Sequence, residues 1–334
     1  MQKFSASLFF VLLVLASHLA SAQGTIRRVN NTGITGTNIY STIQLAHDAS
    51  VNGDIIQVEP STVSYGNLTC TKQLTIVGPG YFLSFNQPPA LQASVIPATI
   101  DQVVFNPGSA GSSIAGMTIN GNLYPGVSNL TIVRNYINST IYANYNANIS
   151  NTLIRQNYIY TISYYSGSAS STNLLITNNI ILSSANVSLA SFSGEFSNND
   201  MLSGTAYFDN FTVKNNYINS LSTTANTTWQ YNLLTGALPT LGSQSNNTPS
   251  VSQSSVFVLA PTAPGQYDAW YKLKTGTNPA TGGGQGGVDI GATGSSTGYA
   301  YHFSGLPAIP AIYQLSQAVS GNTLNVTLGT RSNN

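Results

Sequence analysis

Charge is what this chain has least of. Ten Lys and Arg and nine Asp and Glu make up 6% of its 334 residues, against about 25% in ordinary globular proteins. With a net charge of +1 and no basic run, it has no electrostatic means of holding nucleic acid or an anionic membrane. Cysteine is scarce as well: Cys70 stands alone, so no intrachain disulfide can form, and the thiol reads as a small core residue. No apolar run approaches the ~20 residues that a membrane-crossing helix needs.

The strongest apolar run, Leu8 to Ala16, follows Lys3 and precedes Ala20-Ser21-Ala22. A basic start, a short apolar stretch and a small-x-small site together predict a signal peptide over residues 1–22 and an exported mature chain from Gln23. Losing Lys3 leaves nine basic against nine acidic residues, so the mature chain is formally neutral. Hydrophobic residues are still 42% of the total, enough to build a core. The surface must then be rich in Asn, Ser, Thr and Tyr, a composition that suits an extracellular or cell-surface β-solenoid. Triplets such as those at Asn67, Asn129 and Asn210 would accept glycans only in a host that glycosylates at this signal.

Self-similarity decides the fold. The segments Leu130–Ile137, Thr152–Ile159, Leu174–Ile181, Glu195–Met201, Phe211–Ile218 and Thr228–Leu234 align without gaps on Asn135, Asn157, Asn179, Asn199, Asn216 and Asn232. Successive asparagines are 22, 22, 20, 17 and 16 residues apart, too short and too variable for a helical repeat. Ser113–Ile119 reads as an earlier turn of the series. Apolar residues fall three before each Asn (Ile132, Ile154, Ile176, Phe196, Val213, Trp229) and two after it (Ile137, Ile159, Ile181, Met201, Ile218, Leu234). A parallel β-coil climbing ~4.8 Å per turn stacks such positions into inward ladders. The asparagines then form a structural ladder at a tight turn, where Asn tolerates the left-handed region and offers both donor and acceptor.

Before the repeats, residues 40–49 put Ile43, Ala46 and Ala49 on one helical face, followed by the Asn52-Gly53-Asp54 turn and the strand Ile55–Val58. This predicts a helical cap over an otherwise open solenoid end. The expected organisation is a leader at 1–22, an N-terminal strand and cap helix at 23–59, a β-helix at 60–305 and a two-strand tail at 306–334. The tail, Ile309–Leu315 and Thr323–Leu328 around Ser320-Gly-Asn322, should pack along the solenoid or over its far end.

The run Tyr40-Ser-Thr-Ile-Gln44, with Gly53-Asp-Ile-Ile-Gln-Val58 and Lys72–Gly80, resembles the opening of pectin-lyase-like right-handed parallel β-helix proteins. Tyr271–Ala280 and Val288–Ala292 resemble their closing coil, especially in secreted members from Bacteroidota. The likeness spans roughly residues 26 to 305 and implies an all-β, single-stranded right-handed parallel β-helix. It says little of activity, because that superfamily holds lyases, hydrolases, epimerases and adhesins.

Lyases of this kind cluster carboxylates around calcium and use Arg or Lys as base, while hydrolases pair two carboxylates. Between residues 110 and 235 the chain offers Arg134, Arg155, Glu195, Asp200, Asp209 and Lys214, and no such signature matches residue by residue. Glu195, Asp200 and Asp209 are the acidic candidates, brought together if coils stack; calcium would enter only with such an enzyme, and no cofactor or metal is otherwise expected. The basic side chains occupy outward positions, solvated or facing an anionic sugar. His47 and His302 lie too far apart for a dyad.

Tyrosine is the better lead. Tyr136, Tyr158 and Tyr217 follow ladder asparagines as an outward column, interrupted by Ile180 and Asp200, and the longest coils add Tyr142, Tyr145, Tyr160, Tyr164 and Tyr165. A Tyr ring is flat, apolar and carries a hydroxyl, which suits the CH face and hydroxyls of a sugar; stacked rings can equally serve as cover for the solenoid. Three functions stay open: a secreted non-catalytic protein that contacts glycan or cell envelope, a polysaccharide lyase or hydrolase, and a structural or adhesive spacer. The sequence leaves oligomeric state open.

Overall fold

The computed structural model describes residues 24–84, 93–165, 168–188, 190–222, 225–259, 268–295 and 298–331; the expected leader lies outside them. It is a parallel β-solenoid of about eight turns. One sheet runs Ile39–Tyr40, Ile26–Val29, Ile55–Val58, Thr75–Val77, Ser113–Ala115, Thr131–Val133, Leu153–Arg155, Ser171–Thr177, Phe192–Ser197, Phe211–Lys214, Thr228–Gln230, Ser243–Ser245, every neighbour parallel. The second sheet wraps the remaining two sides of the coil.

Both inward ladders form in the expected register. Ile114, Ile132, Ile154, Ile176, Phe196, Val213 and Trp229 pair strand to strand. So do Ile119, Ile137, Ile159, Ile181, Met201, Ile218 and Leu234. A third ladder, Leu68, Val103, Leu123, Ile141, Ile162, Ala185, Ala206 and Leu221, closes the triangle. Almost all of these residues are fully buried in one core, where each large aliphatic side chain contributes about 1.5–3 kcal/mol. The third ladder escaped the repeat because its spacing from the Asn varies with coil length.

The asparagine ladder lies inside the wall. Asn135 Nδ2 donates to Asn157 Oδ1 at 3.1 Å, and the same bond links Asn157 to Asn179, Asn179 to Asn199, Asn199 to Asn216 and Asn216 to Asn232 at 2.9–3.1 Å. Asn232 donates in turn to Asn247 at 2.9 Å, a seventh rung beyond the aligned repeats. Each Oδ1 also accepts the backbone N–H of the preceding rung. Nδ2 of Asn157 also bonds the carbonyls of Ile132 and Arg155. Complete satisfaction is what lets six amides sit at zero exposure without the cost of an unpaired buried polar group.

The left-handed residue is the one before each Asn. Arg134, Gln156, Asn178, Asn198, Asn215, Tyr231 and Asn246 have φ between 53° and 58°. In the early coil the position is Gly116, φ 70°, where a Cβ would meet the Gly78 carbonyl oxygen at 2.6 Å. The ladder asparagines therefore serve through their amides and not through their own backbone angles, which corrects the reading of them as left-handed turn residues.

Helix α1, Ile43–Ala49, is capped by Thr42, whose hydroxyl accepts from Leu45 N at 3.2 Å. It packs on the Ile26–Val29, Ile55–Val58 and Leu68–Cys70 strands. Ile43 and Ala46 are buried as expected, but Ala49 is exposed and His47 takes its place, accepting Thr71 N at 3.0 Å. The tail forms an antiparallel hairpin, Ala311–Ser320 with Thr323–Arg331. Its base sits beside the early coils, where Ala93 N donates to Ile312 O at 2.7 Å, and the rest projects. It neither packs along the solenoid nor covers the far end.

Candidate functional site

Between the last coil and the hairpin the chain returns along the solenoid as a strap, its described part being residues 268–295 and 298–310. The left-handed turn residues hold it. Arg134 Nη1 donates to Leu306 O at 2.9 Å, and Gln156 Nε2 to Tyr299 O at 3.2 Å. Asn178 Nδ2 donates to Ala292 O at 3.0 Å and Gly294 O at 2.6 Å, and Asn198 Nδ2 to Asp289 O at 3.3 Å. Asn215 Oδ1 accepts Gln285 N at 2.8 Å. Ascending coils thus meet a descending strap, one clip per turn.

The strap overturns the outward tyrosine column as a ligand face. Tyr158, Ile180, Tyr217 and Leu233 are buried with Val256, Phe257, Ile290, Ala292 and Tyr301 in a second apolar core. The Tyr217 hydroxyl donates to Val251 O at 3.0 Å, while Tyr158 packs edge-on to Phe82 at 5.2 Å. Burial raises the phenols of Tyr136, Tyr158 and Tyr217 above their ordinary range. Tyr136 keeps partial exposure, wedged against Phe82 at 5.0 Å. Tyr164 packs on the main core, and Tyr160 is exposed, with no ring stacked on it among the described residues.

The acidic candidates do not converge. Glu195 is on the first sheet and pairs with Lys214 at 3.0 Å. Asp200, across the Asn turn, is 1% exposed beneath Gly291, where an added Cβ would lie 2.1 Å from Oδ1. The backbone N–H of Ala292 faces Asp200 but outside hydrogen-bonding geometry, so among the described residues neither carboxyl oxygen has a hydrogen-bond partner. Burial holds this acid well above the usual carboxylate range. Asp209 lies in the turn before Phe211 and accepts Asn226 Nδ2 at 3.1 Å. Among the described residues no three His, Cys, Asp or Glu gather as metal ligands.

The strap also walls a groove over the first sheet. One cleft of about 220 Å³ is lined by Thr177, Glu195, Ser197, Lys214 and Gln285; a neighbouring one of about 520 Å³ by Val77, Val133, Arg155 and Tyr299. Arg155 stacks on Tyr299 at 4.0 Å. Neither it, Arg134 nor Lys214 is simply solvated. Among the described residues that line the two clefts the carboxylate is Glu195, tied to the Lys214 ammonium.

The remaining tyrosines do come together. Leu123 pairs with Ile141, so Tyr124 and Tyr142 are side by side on the outer face, their rings stacked at 5.1 Å and 16°. Tyr145 approaches Tyr124 at 4.8 Å, and Tyr165 lies 4.8 Å from Tyr145 and 5.2 Å from Tyr142. Buried Asn144 joins the two loops, accepting Tyr165 N at 2.7 Å and donating to Ala169 O at 2.9 Å. Tyr165 is 47% exposed. Asn122 Nδ2 donates to the Tyr124 hydroxyl at 2.8 Å, and no hydrogen bond engages the other three hydroxyls among the described residues. The column running through the cluster continues as Val104 and Ser163, without charge. Tyr124 was missed in the sequence because Leu123-Tyr-Pro125 belongs to a coil that lacks the Asn motif.

No protein-family model matches the chain, and no curated protein matches it. No helix among the described residues is long and apolar enough to cross a membrane.

Proposed function

We propose that this chain is a secreted right-handed β-helix of the pectin-lyase-like kind that binds a neutral glycan without cleaving it. The observation that carries the reading is the four-ring platform of Tyr124, Tyr142, Tyr145 and Tyr165. Its rings are preorganised by mutual contact and by Asn144, so little side-chain freedom is lost on binding. Three of the hydroxyls carry no hydrogen bond among the described residues, and the uncharged column beside the rings favours a neutral ligand over a uronate. The repeat, the cap helix and the resemblance near both ends support the fold family; the residue 1–22 pattern supports export.

Affinity electrophoresis through gels containing neutral and acidic polysaccharides tests this reading. Retardation by a neutral polymer is expected, at least tenfold weaker (about 1.4 kcal/mol) in Tyr142→Ala/Tyr165→Ala. Equal retardation of wild type and variant by every polymer contradicts it. Release of reducing or unsaturated ends from any polymer, abolished by Glu195→Gln, would replace it with the lyase or hydrolase reading centred on Glu195 and Lys214.

A further inference from the structure

The projecting hairpin is amphipathic, and its apolar side is uncovered. Leu315 pairs with Leu328, Gln317 with Val326 and Val319 with Leu324; directly opposed residues share a face. The irregularity between Ile312 and Gln314 keeps Ile312, paired with Thr330, on that same face. Ile312, Leu315, Val319, Leu324, Val326 and Leu328 are 44–75% exposed. The other face carries Ser316, Ala318 and Ser320 opposite Thr327, Asn325 and Thr323. A lone two-stranded hairpin with one apolar face is marginal in water, and none of the usual edge protections, Lys, Glu or Pro, occurs between Ala311 and Thr330.

We propose that this face packs against the same face of a second copy, giving a two-fold dimer of hairpins. The row Gln317/Val326 is central, with one aliphatic row on each side. A two-fold axis through it sets the Leu315/Leu328 row against the Val319/Leu324 row of the second copy, so the surface is complementary to itself, as an isologous contact requires. The central Gln amide, donor and acceptor together, meets its own equivalent. Arg331 is the sole formal charge of residues 311–331 and lies at the base over the Tyr313 ring at 5.7 Å, so like-charge repulsion is absent. A lipid surface fits less well, since an interfacial element carries basic residues and Trp. Strands of ten and nine residues offer roughly 500 Å² per copy, about 1,000 Å² in all, the lower limit for a specific interface. The dimer is accordingly weak.

Sedimentation velocity of the full secreted chain, from micromolar to sub-millimolar concentration, tests this. Wild type passes from monomer to dimer, and Leu315→Asp/Leu328→Asp stays monomeric with the same thermal midpoint for the solenoid. Cys70 is buried, so introduced cysteines report alone: Val326→Cys forms a disulfide-linked dimer on mild oxidation and Thr327→Cys, on the opposite face, does not. A monomer throughout, an undiminished dimer in the Asp variant, or equal cross-linking of both cysteines overturns the proposal. So does binding of neutral phosphatidylcholine vesicles by a monomer that loses it with the Asp substitutions, which would give the face to lipid.

Discussion

Asn178 and Asn179 are chain neighbours with amides turned to opposite sides of the wall: Asn178 Nδ2 reaches out to Ala292 O at 3.0 Å, and Asn179 Nδ2 reaches in to Asn199 Oδ1 at 3.0 Å. The left-handed φ of 56° at Asn178 makes this divergence. The turns at Arg134, Gln156, Asn178, Asn198 and Asn215 thus serve two ladders, one that stacks the coils and one that clips the strap.

Removing an inner amide is the costlier change. Asn179→Ala leaves Asn157 Nδ2 and the Asn157 backbone N–H without their shared acceptor inside a buried wall. A loss of about 3 kcal/mol is expected, read as a lower midpoint in urea unfolding. Asn247→Ala, at the half-buried end of the ladder, should cost less than half as much.

Asn178→Ala severs two bonds to the strap and spares the inner ladder. About 2 kcal/mol is expected, appearing first as faster proteolysis between residues 285 and 300 and only then as a lower thermal midpoint.

Asp200 ties strap docking to pH. Its folded pKa is raised by burial, so above the ordinary carboxylate value of about 4 the folded chain keeps a proton that the unfolded chain has released. Stability from this group is complete below that pH and falls as pH rises through the window up to the folded value, by up to about 1.4 kcal/mol per pH unit. Thermal midpoints of wild type and Asp200→Asn, compared pH by pH so that other groups cancel, should diverge in favour of Asn as pH rises. A constant difference would mean that Asp200 does not titrate with folding.

Tyr231 holds the left-handed turn position at φ 54°, where neighbouring coils use Asn198, Asn215 and Asn246. Tyr231→Asn fits that backbone at lower strain and should raise the thermal midpoint, by an amount corresponding to about 0.5–1 kcal/mol.

The inner ladder was legible in the sequence because an internal column obeys one rule on each of the six aligned coils: amide at the turn, apolar residues three before and two after. The outer column was not. Tyr158, Ile180, Asp200 and Tyr217 point away from the coil as the repeat says, yet what lies over them is set by Phe257, Ile290 and Tyr301, which belong to no repeat. For the same reason the repeat gave no sign that Arg134 and Gln156 grip a distant backbone. Tyr142, Tyr145 and Tyr165 were found because long coils are conspicuous; Tyr124, in a short one, needed the register with Ile141.

The glycan reading is tested most directly by saturation-transfer NMR on the retarded neutral oligosaccharide. Irradiating the tyrosine ring protons should pass saturation to the CH protons of one sugar face in the wild type, and Tyr142→Ala/Tyr165→Ala should remove most of it. Transfer of equal strength in that variant, or none to a sugar that binds, would contradict a tyrosine platform as the binding site.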